Sequence, residues 1–277
     1  MPQALGRPFA KPMERQRPSA IAGPDKNSER PHKSSGVRIG TSGWHYKHWK
    51  DNFYPAGINA AGMLPYYIQQ FDTVEINNSF YRLPTEEAVK SWVQQTPRGF
   101  VFALKASRYI THNRKLKYPE ETIAKFLRVA DLFGKKLGPI LFQLPPSWTV
   151  NRERLGEFLA ALPRGRRYAF EFRNPTWHTQ EVFDLLSRFN AAFCAFEIAG
   201  FQSPIVVTAN FVYVRLHGPG GAYQGKYSHS SLRNWSKRIH EWVEQKRRVY
   251  VYFDNDQAGF AAQNAMELSQ IVREGEG

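Results

Sequence analysis

The sequence predicts an α/β fold, a single TIM-type (β/α)8 barrel over residues 37–277, and three observations support this prediction. Short β-branched or aromatic runs alternate with stretches of helical periodicity throughout this part of the chain. Eight such runs are present, which is the number of strands that closes a parallel barrel. No glycine-rich fingerprint follows the first run, as the alternative, a doubly wound dinucleotide-binding sheet, would require.

The predicted strands begin at Val37, Thr73, Val101, Ile140, Tyr168, Ala191, Phe211 and Val249. Most intervals between these starts are long enough for a helix with its two loops. The sixth interval, from residue 191 to residue 211, has only 20 positions. We therefore expect an abbreviated sixth βα unit, in which a loop around residues 201–209 replaces the helix.

Helix start signals precede several of the intervening segments. Thr85 and Asn151 are placed to cap helices, and Pro119 occupies a first helical position, where its missing N–H has no cost. The last helix is expected to pack a stripe of mostly small residues on the sheet: Ala258, Ala261, Ala262, Ala265 and Leu268.

Residues 1–36 differ in composition from the rest of the chain. They are rich in Pro, Ser, Lys and Arg, and their seven basic and three acidic side chains give a net charge of +4. The whole chain carries 38 Lys and Arg against 24 Asp and Glu, a net charge of +14, which leaves +10 for residues 37–277. Because this segment has few aliphatic side chains to bury, we predict a disordered basic tail, either a solvated leader or a nucleic-acid-binding arm.

Composition also limits the class of protein. The single cysteine, Cys194, excludes an internal disulfide framework and any zinc site built from several thiolates. No apolar run approaches the roughly 20 residues of a membrane-spanning helix, and the N-terminus lacks the hydrophobic segment of a secretory signal. We therefore expect a basic, cytoplasmic monomer that does not associate with membranes.

Alternation along the predicted strands assigns each side chain to one face of the sheet. In the strand that begins at Phe211, Tyr213, Arg215 and His217 alternate with aliphatic residues that must pack on the helices. The polar set therefore faces the barrel interior. The same reasoning places these further side chains inside the barrel: Glu75, Asn77, Lys105, Gln143, Glu171, Arg173, Glu197 and Asp254. Cys194 is assigned to the opposite, aliphatic face of its strand, as an inert buried thiol.

These inward polar side chains lie near the carboxyl ends of their strands, where barrel enzymes build active sites. A core built only for stability would avoid them, because burying unpaired charges is costly. Carboxylates clustered with cations perturb one another's pKa values, which suits acid–base catalysis. The alternative is a set of internal salt bridges, such as Glu171 with Arg215, that fills the barrel. The candidate catalytic residues are Glu75, Glu171, Glu197 and His217.

Loops above these strand ends supply candidates for substrate binding. In HGPGGAYQGK, Gly218 begins a glycine-rich loop whose backbone N–H groups, with Lys226, are predicted to bind phosphate ahead of a helix. Aromatic residues follow other strands, as stacking surfaces for bases or sugars or as lids over the barrel. The predicted substrate-binding residues are Trp44, Tyr46, Asn77, Lys105, Gln143, Arg173, Trp177, Arg215, Gly218, Tyr223, Lys226, Asp254 and Asn255.

The histidines do not show the HxxxH spacing of a helical metal site. His217 with Glu75, Glu171 and Glu197 offers an alternative, a divalent ion held across the strands. The lysine and two arginines of the same cluster oppose a bound cation, so we predict neither a metal nor a cofactor.

Six sequence motifs resemble those of a known family: IGTSGWHYKHW followed by FYP, VEINNSFY, FQLPPSW, EFRNPTW, YVRLHG and VYVYFDN. On these motifs, the chain from Val37 to Val272 resembles the YecE-like family, the domain of unknown function 72. The resemblance implies a TIM-type barrel with a pocket at the strand ends, and it implies no particular reaction. The last motif usually ends in paired asparagines in that family, whereas this chain has Asp254 and Asn255.

The leading functional hypothesis is an enzyme that acts on an anionic, phosphate-bearing substrate, with hydrolysis favoured. Arg215, next to the glycine-rich loop, would decide anion binding. Glu75 or Glu171 would act as general base and His217 as proton donor. There are two alternatives: a glycoside hydrolase, because of the paired carboxylates and tryptophans, and a non-catalytic nucleic-acid-binding module, because of the basic charge.

Overall fold

Eight parallel strands with helices between them form a nearly closed barrel in the computed structural model of the protein, which describes residues 36–275. This confirms the predicted TIM-type architecture. Apart from Gly36, the predicted tail of residues 1–36 lies outside the described residues. No helix within residues 36–275 is long and apolar enough to cross a membrane.

The strands are β1 (Val37–Thr41), β2 (Thr73–Ile76), β3 (Val101–Lys105), β4 (Leu137–Leu144), β5 (Tyr168–Phe172), β6 (Ala192–Ile198), β7 (Phe201–Gln202), β8 (Phe211–Leu216) and β9 (Arg248–Phe253). Their order around the barrel is β1-β9-β8-β6-β5-β4-β3-β2, and the short β7 pairs antiparallel with β6. The helices are α1 (Ala60–Gln70), α2 (Asn78–Tyr81), α3 (Glu86–Gln95), α4 (Pro119–Asp131), α5 (Arg152–Ala161), α6 (Gln180–Arg188), α7 (His229–Glu244) and α8 (Phe260–Glu274).

The predicted helix starts are confirmed, with one correction. The Thr85 side chain accepts a hydrogen bond from the Ala88 N–H, and Asn151 accepts one from the Arg154 N–H, so each satisfies a free donor of the first turn. Pro119 is the first residue of α4. Ala258 does not belong to the last helix as predicted, because its φ of 52° is left-handed and α8 begins only at Phe260.

The sixth βα unit is abbreviated, as predicted. After β7, residues 203–210 run back along β6 without forming a helix. Ser203 Oγ accepts the Phe196 N–H at 2.9 Å and Thr208 Oγ1 accepts the Phe193 N–H at 2.7 Å. The ladder between β5 and β6 extends over only two residue pairs. The two hydroxyl side chains therefore supply hydrogen-bond acceptors for backbone N–H groups of β6.

The barrel closes between β1 and β2 through a close approach of the two strands. The Gly43 N–H donates to the Glu75 carbonyl at 2.8 Å, and the Tyr67 hydroxyl both accepts from the Thr41 N–H at 3.1 Å and donates to the Thr73 carbonyl at 3.0 Å. A β-carbon on Gly40 would lie 2.5 Å from the Thr73 carbonyl oxygen. Glycine at position 40 is therefore required for closure.

We expect Gly40→Ala to lower the free energy of unfolding by about 1–3 kcal/mol, because the added methyl group pushes β1 away from β2. Thermal and urea unfolding would measure this loss. Gly99→Ala is the matched control, since a β-carbon there meets no atom within 4 Å. Equal stability of the two variants would contradict the proposed closure.

Candidate active site

Arg215, near the end of β8, lies at the centre of a buried ring of charged side chains. Its Nε donates to Glu75 Oε2 at 3.0 Å, and its Nη1 donates to Glu171 Oε2 at 2.9 Å. Its Nη2 donates to Glu75 Oε1 at 2.8 Å, to Asp254 Oδ2 at 2.9 Å and to Ser42 Oγ at 3.3 Å. The side chain is 0% exposed. Three carboxylates from three different strands or strand ends therefore compensate one desolvated guanidinium.

Glu75 has both carboxylate oxygens occupied. Besides Arg215, Oε1 accepts from the Ser42 hydroxyl at 2.5 Å and Oε2 accepts from the Tyr213 hydroxyl at 2.6 Å. Burial raises the pKa of Tyr213 well above its ordinary value, so this phenol keeps its proton and remains a donor. Ser42 and Tyr213 were not among the predicted site residues, although the parity of β8 already placed Tyr213 inside the barrel.

Glu171 lies between two arginines. Its Oε1 accepts from Arg173 Nε, and its Oε2 accepts from Arg215 and lies 3.9 Å from Cys194 Sγ. Burial by itself would raise the pKa of Glu171, but the two guanidinium groups hold it well below the ordinary range. Glu171 is therefore ionised at neutral pH and anchors Arg173 at the edge of the ring.

His217 has a partner at each ring nitrogen. Nδ1 lies 3.0 Å from Asp254 Oδ2, while Nε2 lies 3.1 Å from Arg173 Nη2 and 3.3 Å from Arg215 Nη1. Nε2 also lies 3.4 Å from Glu171 Oε2. The two guanidinium groups are nearer and can only donate, which favours Nε2 as the acceptor and Nδ1 as the donor to Asp254. In this arrangement His217 has no nitrogen free for a substrate, contrary to its predicted role as proton donor.

Asp254 reaches from the ring towards solvent. Its Oδ2 is taken by Arg215 and His217, while Oδ1 has only a long contact of 3.4 Å with Asn77 Nδ2. Burial would raise the pKa of Asp254, but Arg215 and the hydrogen bond from His217 lower it below the ordinary value. Its side chain is 9% exposed, against 0% for Glu75 and Glu171. Asp254 is thus the ionised carboxylate of the ring with an available oxygen.

Lys105, at the end of β3, is the cation of this cluster without an anionic partner. Its Nζ lies 4.3 Å from the centre of the Phe80 ring and has no hydrogen bond or ion pair within residues 36–275. Burial, and then the charge of Arg215, lowers the pKa of Lys105 to about 8. The amine is therefore mostly protonated at neutral pH, and it loses its proton as the pH rises through about 8.

His112 is a site neighbour that the sequence did not reveal. It lies in a π-helical turn after β3, packs edge-on against Phe80 at 5.0 Å, and has Nδ1 2.9 Å from the Thr111 hydroxyl. Burial, followed by the charges of Lys105 and Arg108, lowers the pKa of His112 to about 4. Strand parity could not find this residue, because it follows the end of the strand.

The predicted inward position of Glu197 is wrong. Cys194 and Phe196 are the inward side chains of β6: Cys194 contacts Glu171, and the Phe196 ring lies 5.4 Å from the Arg173 guanidinium carbon. Glu197 therefore points outward, where its Oε2 lies 3.4 Å from the Trp235 indole nitrogen of α7. For the same reason the assignment of Cys194 to the outer face is wrong.

The glycine-rich loop after β8 is occupied by internal hydrogen bonds. The Gly218 N–H, predicted to bind phosphate, donates instead to the Tyr227 hydroxyl at 3.0 Å. Asn255 donates to the Gly225 carbonyl at 2.8 Å and so supports the loop. Tyr223 packs edge-on against the imidazole of His217, with the two ring centres 5.5 Å apart. Lys226 is exposed and has no ion pair with any residue in the described range.

The predicted aromatic stacking surfaces are largely core. Trp177 is fully buried, stacks on Phe172 at 4.9 Å and donates its indole N–H to the Trp148 carbonyl. Trp44 packs against Trp92 of α3. Two other predicted substrate-binding residues lie nearer the charged ring. Tyr46 is half-buried and donates to the Ser42 carbonyl, and Gln143 is buried beside Glu171, its partner in the β4–β5 register.

Comparison with known proteins assigns the chain to a family. The family profile described as "Protein of unknown function DUF72" matches residues 38–277. The chain belongs to the DUF72 family. The UPF0759 protein YunF of Bacillus subtilis is 27% identical over 273 residues, which cover 85% of this chain and 94% of YunF. The UPF0759 protein YecE of Escherichia coli is 29% identical over 140 residues, 50% of this chain and 49% of YecE.

Solved DUF72 structures share the fold. A DUF72 family protein from Thermotoga maritima is 26% identical with a TM-score of 0.76, covering 86% of this chain and 99% of that chain. A DUF72 family protein from Enterococcus faecalis is 20% identical with a TM-score of 0.73, covering 86% of this chain and 95% of that chain. The YecE-like resemblance and the barrel predicted from the sequence are both confirmed.

The DUF72 ring offers its carboxylates to arginine rather than to a metal. No group of three or more His, Cys, Asp or Glu side chains within residues 36–275 is arranged to hold a metal ion. Of the four ligands considered from the sequence, Glu197 lies outside the barrel, and Glu75, Glu171 and His217 are each bonded to Arg215. The metal alternative therefore lacks a ligand set in this arrangement.

We expect Arg215→Lys to lower the free energy of unfolding of the DUF72 barrel by about 3–5 kcal/mol, because one ammonium group cannot replace the planar fork that joins three buried carboxylates. Chemical denaturation would measure the loss. Arg233→Lys on the exposed face of α7 is the control and should be nearly neutral. A stable Arg215→Lys variant would show that the ring does not depend on bidentate geometry.

Proposed function

We propose that this DUF72 protein is an enzyme that binds a phosphate-bearing anion at the outer edge of the charged ring and hydrolyses it. The proposal rests on the difference in hydrogen bonding among the three cations of the site, Arg215, Lys105 and Arg173. All five N–H groups of Arg215 have acceptors, whereas Lys105 Nζ and Arg173 Nη1 have no hydrogen-bond partner among residues 36–275. An anion is therefore bound by Lys105 and Arg173, not by Arg215.

Arg215 acts in this proposal as a positioning residue. It holds Glu171, which in turn anchors Arg173, and it fixes Oδ2 of Asp254. The bonds to Arg215 and His217 leave Asp254 Oδ1 aimed away from the ring. One buried guanidinium thus sets the spacing between an anion-binding arginine and an available carboxylate.

The proton transfers are assigned to Asp254 and Lys105. Asp254 Oδ1 takes a proton from water, whose oxygen attacks the phosphorus atom as the bond to the leaving oxygen breaks. Lys105, with a pKa of about 8, is protonated at neutral pH and gives its proton to that leaving oxygen. Glu75 and Glu171, the bases proposed from the sequence, are fully buried and have no oxygen to offer.

The glycoside hydrolase alternative has less support in this arrangement. A glycosidase needs two carboxyl groups on either side of the scissile bond. Here Glu75 and Glu171 both form ion pairs with Arg215. Trp177 is buried in the core and offers no exposed surface for stacking a sugar. The nucleic-acid-binding alternative rests on the basic charge of the chain as a whole and not on the residues of the ring.

We expect inorganic sulfate to raise the melting temperature of the protein by mass action, and Lys105→Met and Arg173→Met each to lose more than half of that shift. Differential scanning fluorimetry at constant ionic strength would measure it. Lys125→Met on the exposed face of α4 removes one charge elsewhere and should keep the full shift. A full shift in both ring variants would overturn the assignment of the anion site.

The same shift should depend on pH in one direction. The pKa of Lys105 is lowered to about 8, so its charge is present at neutral pH and is lost as the pH rises through about 8. Sulfate keeps its charge over this range, so the response should fall between about pH 7 and about pH 9 in the native protein. This fall should be absent in Lys105→Met. A response that rises with pH would contradict the role of Lys105.

Turnover is tested through Asp254. We expect slow hydrolysis of nitrophenyl phosphate mono- or diesters, followed by absorbance, and a loss of about 10²-fold or more in kcat for Asp254→Asn. The amide keeps the shape and a hydrogen-bond acceptor for Arg215, so sulfate should still raise the melting temperature. Equal rates in the two proteins would exclude Asp254 as the general base.

A further inference from the structure

A cleft at the amino end of the barrel, opposite the charged ring, is lined by arginines. It has a volume of about 580 Å³ and lies where the α5–β5 and α6–β6 connections meet. Its lining includes Arg164, Arg166, Arg188, Tyr168 and Phe189. Because β5 and β6 begin at this cleft and the ring lies where the strands end, the two sites are separated by the length of the barrel.

Two of these arginines form no ion pair within the described part of the chain. Arg164 and Arg188 are exposed and form no ion pair or hydrogen bond with any residue between 36 and 275, while Arg166 Nη2 lies 2.6 Å from Asp131 Oδ1. The short segments joining each helix to the next strand also contain one acidic residue, Asp72, which is paired with Arg38. The cations of these segments are Arg98, Lys135, Lys136, Arg164, Arg166, Arg167, Lys246 and Arg247.

The negative ends of the helix dipoles offset only part of the positive charge of these segments. The carboxyl ends of seven helices, α1 and α3 to α8, point to this end of the barrel, and each carries about half a unit of negative charge, roughly three and a half units in all. Eight cations against one acid give a net charge of +7 in the same segments, or +6 when the charged last residues of the helices that lead into them are included: Asp131, Arg188 and Glu244. The excess is therefore available to an external polyanion.

The cleft also contains an exposed ring. Phe189, directly after α6, is 42% exposed between Arg188 and Asn190 and lines the same cleft as Arg164. An exposed phenyl ring beside unpaired guanidinium groups matches the two contacts made by proteins that bind single strands, base stacking and phosphate pairing. A duplex keeps its bases stacked inside the helix, so only an unpaired base can reach Phe189.

From these contacts we propose that the amino end of the barrel binds single-stranded nucleic acid, with one base stacked on Phe189 and the adjacent phosphates on Arg164 and Arg188. This site is independent of the proposed hydrolytic function, because no residue is shared between the cleft and the ring. RNA and DNA single strands offer the same phosphates and bases to these residues.

Fluorescence anisotropy of labelled oligo(dT) and oligo(U) with the full chain tests the proposal. We expect the double variant Arg164→Gln/Arg188→Gln to bind about tenfold more weakly or worse, with a salt slope shallower by about 1.4, because two phosphate contacts are lost. Phe189→Leu keeps an apolar side chain but should lose about fivefold or more, with an unchanged slope. Arg233→Gln/Lys237→Gln on α7 removes the same charge elsewhere and should change affinity less than about twofold.

Comparison of the two oligonucleotides shows whether the sugar matters, and a preference for either one supports the proposal. Unchanged affinity in the Arg164/Arg188 variant, or an equal loss in the α7 control, would overturn it, because binding would then be a property of overall charge. If polyglutamate displaces the oligonucleotide as well as unlabelled oligo(dT) does, and Phe189→Leu has no effect, the surface fits an acidic polypeptide and the nucleic-acid assignment is wrong. Melting curves of each variant separate loss of binding from loss of folding.

Discussion

Burial of the Arg215 guanidinium among three carboxylates is the interaction on which the candidate site depends. Glu75 comes from β2, Glu171 from β5 and Asp254 from the residue after β9, so the ion pairs join distant parts of the barrel wall. A charge removed from water is tolerated only where its donors are satisfied, and the planar guanidinium satisfies them only in fixed directions. The three carboxylates therefore occupy positions that are set by one another through Arg215.

This satisfied centre divides the polar interior into two layers. In the inner layer, Glu75 and its donors Ser42 and Tyr213 are buried with every carboxylate oxygen bonded. In the outer layer, Lys105 Nζ has no hydrogen-bond partner among residues 36–275, and Asp254 Oδ1 has only a long contact with Asn77. The residues whose polar atoms are fully bonded are thus distinct from those to which we assign a role on a substrate, although all of them are charged or polar side chains at the ends of barrel strands.

Strand parity identifies the interior correctly where the two faces of a strand differ in polarity. In β8, polar residues alternate with aliphatic ones, and Arg215 and His217 lie inside as predicted. In β6 both faces are apolar, because Ala192 and Cys194 line the interior and Phe193 packs against the helices. The single acid of that strand, Glu197, was therefore a poor guide, and the correct assignment needed the contact between Cys194 and Glu171.

The sequence by itself determined the eight parallel strands of the barrel, the short sixth unit, the helix caps and most of the inward side chains, but not the two-residue strand β7. These features depend on local periodicity and on turn or cap residues, which short segments of the chain contain in full. Only the tertiary structure decided which donors and acceptors are already occupied. Arg215 and Glu75 are 140 residues apart, and Tyr213 and Glu75 are 138 apart. Their pairing follows from the register of strands around the barrel. The sequence therefore could not show that the donors of Arg215, predicted to bind an anion, are occupied by buried carboxylates.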